Sequence, residues 1–216
     1  MIRRVIRSRA RVLALLVALL GLQQLARAAF IQAKAVLAPI LIARAWAAGV
    51  SEPGLPQQGL PQRPWPWADT WPVARIQVPA LGIERYVLAG TSGQALAFGP
   101  GLDAAGAVPG EPGTAVIAGH RDTHFRFLQR MHPGMVLRLQ RPDGRWQRYR
   151  AGVARVVDNR DPLPPPRREG PAVLELVTCY PFDALQPGGP LRYVVPLRRL
   201  THAGASPYLP SGGIAL

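Results

Sequence analysis

The sequence predicts an all-β domain, either a barrel or a sandwich, that follows an N-terminal membrane helix. Beyond residue 72 the chain is a series of short apolar or alternating runs separated by clusters of Gly, Pro and Asp, which is typical of all-β folds. The 24 Pro and 22 Gly argue against a long helical bundle, because both residues break helices. A hydrophobic content of 48% with 18% charged residues is enough to build a packed core.

The net charge of +14 is concentrated at the N-terminus. Residues 1–48 hold eight Arg and Lys but no Asp or Glu, and the rest of the chain carries +6. A basic segment of this kind attracts anionic phospholipid, so a membrane is an expected partner. A basic chain can also bind nucleic acid, but no helix-turn-helix, RNP or zinc-finger signature supports such a partner. The single cysteine excludes an internal disulfide framework and a multi-cysteine zinc site.

Residues 1–28 are predicted to form a cytoplasmic tail and a membrane anchor. Five arginines between Arg3 and Arg11 precede an apolar run over residues 12–22, which places the N-terminus in the cytoplasm. A full span needs about 20 residues, which the run reaches only if Gln23 and Gln24 are tolerated. Residues 26–28, Ala-Arg-Ala, alternatively form a signal-peptidase site, although we favour the uncleaved anchor. Both readings export everything after residue 30.

Residues 29–72 are predicted to connect this anchor to the folded domain. Residues 30–46 carry only two charges, Lys34 and Arg44, and favour an amphipathic helix that either lies at the membrane interface or packs on the domain. Residues 51–72 hold six Pro and three Trp, which indicates a semi-rigid spacer lying along the domain or near lipid headgroups. The domain itself is predicted over residues 73–200, with a C-terminal tail at 201–216.

The predicted domain contains several runs with the pattern of strands, namely residues 75–78, 115–118, 136–141, 146–157, 173–180 and 191–195. A short helix is expected over residues 123–130, capped by Asp122 or Thr123, with Phe127 and Leu128 facing the core. Residues 161–171 hold five Pro and are therefore predicted to be a loop.

Cys179 is a candidate nucleophile because it ends a predicted strand. The following Tyr180-Pro181 stops that strand, and a strand end lies at the rim of a barrel, open to substrate. A buried structural role is the common fate of a free thiol, and sequence context alone leaves the two readings evenly balanced. In an exported chain a lone thiol is also an oxidation liability, which is a reason to expect a function for it.

His120 and Arg192 are candidates to act with this thiol. His120 ends another apolar strand and can supply the proton transfers that a thiol nucleophile needs, although a lone His is more often solvated or satisfied. Arg192 lies 13 residues after Cys179, and two strands joined by a loop would bring the pair together. A guanidinium can hold an oxyanion or a peptide carbonyl, but with 25 Arg in the chain the spacing alone does not separate Arg192 from a surface arginine.

Three strings in the same order resemble the sortase family, namely AVIAGHRDTHF at residues 115–125, LVTCYPF at 176–182 and PGGPLRY at 187–193. They are most similar to the Gram-negative branch of the marine proteobacterial type, class GN, and the block WPWADTWP at 65–72 also fits that branch. The resemblance covers about residues 73–197. Glu175 departs from the family's Thr-Leu-x-Thr-Cys signature, at a position that bears on local strand packing.

This resemblance implies a closed eight-stranded β-barrel and a cysteine transpeptidase that needs no cofactor. Cys179 would attack the Thr carbonyl of a Leu-Pro-x-Thr-Gly-like sorting signal, Arg192 would hold the oxyanion or the substrate backbone, and His120 would protonate the leaving amine. The implied partner is an exported protein that carries this C-terminal signal, and the acceptor amine is left open. The implied location is the inner membrane, with the catalytic domain in the periplasm.

Four further side chains are candidates to support the site. Thr178 precedes the nucleophile and can add a hydroxyl hydrogen bond, or it is a plain strand residue. Asp122 and His124 could orient His120, as could Arg121.

No metal is expected at the site. Some sortases bind calcium in the loop that Asp158, Asp161 and Glu169 flank here, but three acids among several Pro and Arg make a poor oxygen cage.

Two other functions fit the sequence less well than the transpeptidase does. A papain-like protease places its cysteine before its histidine, whereas His120 precedes Cys179 here. A membrane-anchored module that binds sorting signals without turnover is the alternative from another class, and it leaves the retention of Cys, His and Arg unexplained.

Overall fold

A computed structural model of the chain describes residues 2–50, 61–161, 166–184, 186 and 188–200, with side chains from residue 15 onward. Three expectations therefore fall partly or wholly outside the described residues. They are the first part of the Pro- and Trp-rich spacer (51–60), part of the Pro-rich loop (162–165) and the C-terminal tail (201–216).

The described part of the chain forms nine strands in a single sheet that closes on itself. The strands are β1 Pro72–Val78, β2 Ile83–Ala89, β3 Gly101–Leu102, β4 Thr114–Ala118, β5 Val136–Gln140, β6 Trp146–Ala151, β7 Arg155–Asp158, β8 Val173–Cys179 and β9 Leu191–Arg199. Their order is β6-β5-β1-β2-β3-β4-β8-β9-β7, and β6 also pairs with β9. That pairing closes eight strands into a ring, with β7 added outside it. The predicted eight-stranded barrel is confirmed.

Alternation along the strands fills the barrel. On β8 the side chains of Leu174, Leu176 and Thr178 are buried, whereas the residues between them are only half-buried. On β4 the inward positions are Ala115 and Ile117. Because successive side chains of a strand point to opposite faces, Cys179 lies on the outer face of β8. The barrel wall, not its interior, therefore carries the thiol.

Two predicted elements differ from the structure. The run predicted as one strand over 146–157 divides into β6 and β7, because the pairing with β9 shifts by one residue between them. Gly152 still donates its N–H to the carbonyl of Pro196 in the β6 register, whereas Arg155 stands opposite Val194. The helix predicted over 123–130 is a 3-10 helix, Arg126–Arg130, that starts after Phe125 without a side-chain cap. The expectation that Phe127 and Leu128 face the core is correct.

The N-terminal segment is one helix, α1 Ile2–Gly49, instead of an anchor followed by a second helix. Its stretch Leu15–Gly49 has a mean hydropathy of 1.6 and, by length and composition, is a candidate membrane span. The large apolar side chains of residues 15–37 that lie on this stretch are exposed. Burial begins at Ala38 and continues through Ile42 and Trp46, which pack on the barrel.

The end of α1 and the spacer share an apolar contact with β2. Trp46 lies 6.3 Å from the ring of Tyr86. Ile42 joins a cluster that includes Trp65 and Phe98, whose rings meet edge to face at 5.0 Å. Phe98 closes a short helix, α2 Gly93–Phe98. The sequence left open whether residues 30–46 lie at the membrane interface or pack on the domain. The structure shows that the later part of this segment packs on the domain.

Candidate active site

The position of Cys179 follows from the register of β8 with β9. Cys179 ends β8, is half-buried, and stands directly opposite Arg192 in the antiparallel ladder. One residue further, Tyr180 donates its N–H to the carbonyl of Leu191 at 3.0 Å, so the pairing persists past the thiol. Directly opposite residues on antiparallel strands project from the same face. The thiol and the guanidinium therefore share the outer face of the barrel wall.

His120 reaches the same rim from the other side of β8. β4 and β8 are parallel, with Ala118 opposite Val177, and Gly119 donates its N–H to the carbonyl of Val177 at 3.0 Å. Two residues beyond that pair, the strands β4 and β8 bring His120 and Cys179 to corresponding positions at their ends. His120 is exposed. The three predicted residues thus lie on three neighbouring strand ends, in the order β4, β8, β9.

Thr178 fastens the two strand ends together. Its buried hydroxyl donates to the carbonyl of Gly119 at 2.7 Å. The hydrogen bond joins the residue before the thiol to the residue before the imidazole. Thr178 therefore acts on the backbone that carries His120, which is more specific than the plain strand residue that the sequence left open.

Gly119 is required by a close approach. A Cβ at this position would lie 2.9 Å from the ring of Phe125, which is fully buried. Phe125 in turn donates its N–H to the carbonyl of His120 at 2.9 Å. The Gly-His dipeptide is thus the point where the chain leaves β4 and folds back over a buried aromatic ring.

Arg192 is held by the loop that precedes it. Its Nη1 donates to the carbonyls of Gly189 at 2.6 Å and Leu191 at 2.9 Å. Asp158 lies on the strand beyond it, and hydrogen bonds from the Arg160 side chain and backbone lower the pKa of Asp158 to about 2, with a smaller contribution from the charge of Arg192. The guanidinium therefore stands in a fixed orientation with several of its N–H donors still free of these two carbonyls.

Arg121 makes two contacts that the sequence did not predict. Its Nη2 donates to the carbonyls of Ala184 at 2.6 Å and Gln186 at 3.1 Å. These carbonyls lie in the loop that leads from Cys179 to Arg192. Arg121 therefore ties the loop that carries His120 to the loop that carries the other two residues. The sequence suggested only that Arg121 could orient His120.

A cleft of about 550 Å³ opens beside this junction. Arg121, Asp122 and Arg126 line it together with Tyr180 and Phe182. The ring of Tyr193 stacks on Tyr180 at 6.0 Å and meets Phe182 edge to face at 5.2 Å. Asp122 is thus an exposed carboxylate in a cleft that is partly aromatic.

His124 faces the opposite way. It lines a groove of about 430 Å³ between α1 and the barrel, together with Pro39, Ile42 and Arg85. Burial lowers the pKa of its imidazole, and the hydrogen bond with the Ala97 backbone is the next largest effect and opposes this lowering. The charges of Arg85 and His120 add smaller lowering effects, and the charge of Asp122 a still smaller raising one. His124 therefore lines the groove where α1 packs on the barrel, and it also interacts electrostatically with His120.

The described residues contain no group of three or more His, Cys, Asp or Glu side chains arranged to hold a metal ion. The chemistry available at the rim is that of a thiol, an imidazole and a guanidinium. Such a set can form and resolve a thioacyl intermediate, because it provides a nucleophile, a proton carrier and a fixed positive charge for an oxyanion.

The fold and this strand-end site define a closed β-barrel of the sortase type. A sequence profile of the sortase domain matches residues 76–199. Sortase D of Bacillus subtilis (strain 168) is 31% identical over 126 residues, which cover 58% of this chain and 63% of that protein. The match thus spans less than two thirds of the relative's length. The chain belongs to the sortase family.

Solved structures show the same fold. Sortase A from Corynebacterium diphtheriae has a TM-score of 0.55 at 22% identity, covering 66% of this chain and 67% of that one. A lid mutant of the same protein has a TM-score of 0.56 at 20% identity and covers 82% of this chain and 100% of that one.

Proposed function

We propose that this protein is a membrane-anchored cysteine transpeptidase that cleaves a Leu-Pro-x-Thr-Gly-like sorting signal between Thr and Gly and transfers the exported protein to an amine. Membership of a family of cysteine transpeptidases supports the reaction class. The observation that carries the proposal is the strand register, which sets Arg192 opposite Cys179 and brings His120 to the end of the adjacent parallel strand.

In the proposed first half-reaction the Cys179 thiolate attacks the Thr carbonyl carbon and forms the new carbon–sulfur bond. The negative oxygen is stabilised by Arg192, whose Nη1 contacts with Gly189 and Leu191 hold the guanidinium in place. As the carbon–nitrogen bond breaks, His120 gives its proton to the leaving Gly amine. The products are a thioester on Cys179 and the released C-terminal peptide.

In the proposed second half-reaction an amine attacks the thioester carbonyl and His120 takes the proton that the amine loses. The carbon–sulfur bond breaks and the Cys179 thiolate is regenerated, so no oxidant or reductant is consumed. Asp122 and His124 are proposed to influence His120 from the cleft and from the helix groove, and Thr178 to fix the backbone between the two strands through Gly119.

The proposed location is the inner membrane, with a single span and the barrel in the periplasm. The apolar stretch of α1 and the arginines that precede it support this orientation. The strings around His120, Cys179 and Arg192, with the Trp-Pro block, support assignment to the Gram-negative class GN.

The test uses the full-length protein in detergent with peptides that contain Leu-Pro-x-Thr-Gly and with hydroxylamine as the acceptor. We expect a Thr hydroxamate product and, by mass spectrometry, a thioester on Cys179. Cys179→Ala should yield neither, while it keeps the circular dichroism spectrum and melting temperature of the unchanged protein. Peptide binding without any product from the unchanged protein would instead identify a binding module, and product from Cys179→Ala would contradict the proposed nucleophile.

A further inference from the structure

Three arginines line a second pocket on the barrel wall, which shares Arg126 and Gln129 with the cleft beside the candidate site. The pocket, of about 240 Å³, is lined by Arg85 on β2 and by Arg126 and Arg130 on the 3-10 helix, together with the apolar Ile83 and Phe127. No acidic side chain lines it, and among the described residues none of the three arginines forms an ion pair. Three guanidinium groups around one pocket, with no carboxylate lining it, are suited to a phosphate group.

The pocket adjoins the place where α1 meets the barrel. Arg85 and Thr123 line both this pocket and the groove that holds Pro39 and Ile42 of α1. A phosphate in the pocket would therefore lie beside the helix on which the barrel is mounted.

The length of α1 places this junction next to the headgroup layer. The apolar run begins at residue 12, so a span of about 20 residues ends near residue 31. Ala38, the first buried residue among those whose side chains are described, follows seven residues later, which is about 10 Å along the helix. The headgroup layer extends about 5–8 Å beyond the hydrocarbon core. The barrel thus begins at the outer edge of the headgroup layer, where long arginine side chains can reach lipid phosphates.

An exposed tryptophan on the spacer supports the same placement. Trp67 is 81% exposed, although it lies two residues after Trp65, which packs on Phe98 in the apolar cluster of Ile42. Tryptophan is enriched at membrane interfaces, where an amphipathic ring lies among headgroups. The spacer therefore presents a suitable anchor close to the same section of α1.

We infer that Arg85, Arg126 and Arg130 bind the phosphate of anionic phospholipid headgroups and so seat the barrel on the membrane that α1 spans. The inference rests on the proposed span but not on the proposed chemistry. A basic side chain near an anionic leaflet strengthens lipid association by roughly fivefold. The contact fixes one rotational setting of the barrel about α1, with the β2 side toward the lipid.

The experiment places a fluorophore on a cysteine at position 129, in a Gln129→Cys, Cys179→Ala full-length protein. Gln129 is exposed and lines the arginine pocket. The protein is inserted into nanodiscs of phosphatidylcholine alone, or of equal parts phosphatidylcholine and phosphatidylglycerol, with a trace of lipid bearing a nitroxide on its headgroup. We expect much stronger quenching in the phosphatidylglycerol discs.

Replacing Arg85, Arg126 and Arg130 together by Gln should weaken the lipid contact about tenfold or more and so remove most of the extra quenching in the phosphatidylglycerol discs. Replacing all three by Lys should restore most of that quenching. The matched control removes the same charge from the far side of the barrel, with Arg148→Gln, Arg150→Gln and Arg198→Gln on β6 and β9. These three side chains are exposed, and β9 lies diametrically opposite β2 in the eight-stranded ring. The control should quench like the unchanged protein.

Equal quenching in discs with and without phosphatidylglycerol would overturn the inference. An equal loss of quenching in the control variant would overturn it as well. So would arginine-dependent binding of inorganic phosphate, measured by calorimetry in phosphatidylcholine discs, since it would identify a site for a free anion. Release of the chain from membranes by carbonate would contradict both this inference and the proposed span. Peptide cleavage by the same triple variants with Cys179 intact is measured separately, so that failure of the proposed chemistry is distinguished from failure of the lipid contact.

Discussion

At the scale of single residues, the proposed site depends on guanidinium groups that hold backbone carbonyls. Arg192 binds the carbonyls of Gly189 and Leu191, which both precede it, and Arg121 binds two carbonyls in the middle of the same loop. Both arginines thus shape the loop that joins the thiol to its partner on β9. The two differ in their distance from the thiol, since only Arg192 is its cross-strand neighbour.

Arg192→Lys tests the proposed direct role. An ammonium group cannot reproduce the planar fork, so we expect kcat/KM for peptide cleavage to fall about 10²–10³-fold. The comparison variant is Arg199→Lys, because Arg199 also binds a loop carbonyl, that of Gly110, but lies at the far end of β9. Equal rates for Arg192→Lys and the unchanged protein would place Arg192 among the ordinary surface arginines.

Arg121→Ala tests the positioning role. Loss of two hydrogen bonds to Ala184 and Gln186 should loosen the loop, so we expect kcat to fall more than KM rises, and Arg121→Lys to recover part of kcat. Arg199→Ala loses one guanidinium–carbonyl bond elsewhere and controls for stability alone. If both Ala variants changed the melting temperature and neither changed kcat, Arg121 would be a structural residue only.

At the scale of elements, the strands β4, β8 and β9 could be located from the sequence, but the place of β7 in the sheet could not. Apolar runs that end in Gly119-His120 and in Thr178-Cys179 predicted two strand ends, and the structure has both. The position of β7 outside the ring was not predictable, because a four-residue strand with two exposed positions has no distinctive pattern. The contacts of Arg121 were hidden for a different reason, since hydrogen bonds to carbonyls 63 and 65 residues away leave no signal in side-chain type.

The contact between α1 and the barrel was left open for a physical reason as well. An apolar helix face that packs on protein and one that packs on lipid have the same composition, so residues 30–46 could not be assigned from their hydrophobicity. In the structure, packing on the protein begins at Ala38. Before Ala38, the large apolar side chains of the described helix are exposed.

The groove between α1 and the barrel predicts an acid-sensitive element. Burial holds the pKa of His124 below its ordinary value of 6.5, so the unfolded chain takes up this proton first as pH falls. The stability contributed by the neutral ring is therefore present above pH 6.5 and is lost as pH drops through 6.5 toward the folded-state pKa. We expect the melting temperature to decline over this range and His124→Gln to flatten the decline.

His132→Gln is the comparison variant, since His132 is exposed. It should keep the pH dependence of the unchanged protein. The stability that comes from the lowered pKa of Asp158 is fully present above its ordinary value of 3.8 and is lost only below it, in a separate pH range. A decline that persisted unchanged in His124→Gln would assign the effect to another group.

At the scale of the whole molecule, α1 is part of the folded unit as well as a candidate membrane span. Ile42 and Trp46 cover apolar surface on β2 and α2, and Trp46 is only 5% exposed. The resemblance to the sortase family covers only about residues 73–197 and so leaves the helix outside the predicted domain. The packing shows that a barrel without residues 38–49 would expose Tyr86 and Phe98 to water.

A comparison of two shortened chains tests this coupling. We expect a chain that begins at residue 38 to melt well above one that begins at residue 64, because the longer one keeps the Ile42 and Trp46 contacts. Trp46→Ala in the longer chain should lower the free energy of unfolding by about 3–5 kcal/mol. The exposed Trp67 offers the control, since Trp67→Ala removes a similar side chain that buries little. Identical melting temperatures for all four proteins would show that α1 contributes nothing to the fold.

The hydrogen bond between Thr178 and Gly119 joins residues 59 positions apart. Closing so long a loop costs conformational entropy that local contacts cannot repay, and such long-range strand pairings form slowly. In the proposed topology, a chain that has just crossed the membrane therefore has its thiol before it has the imidazole beside it. In the proposed enzyme, acyl transfer would begin only when the last strands have paired, and the appearance of activity would time the completion of folding.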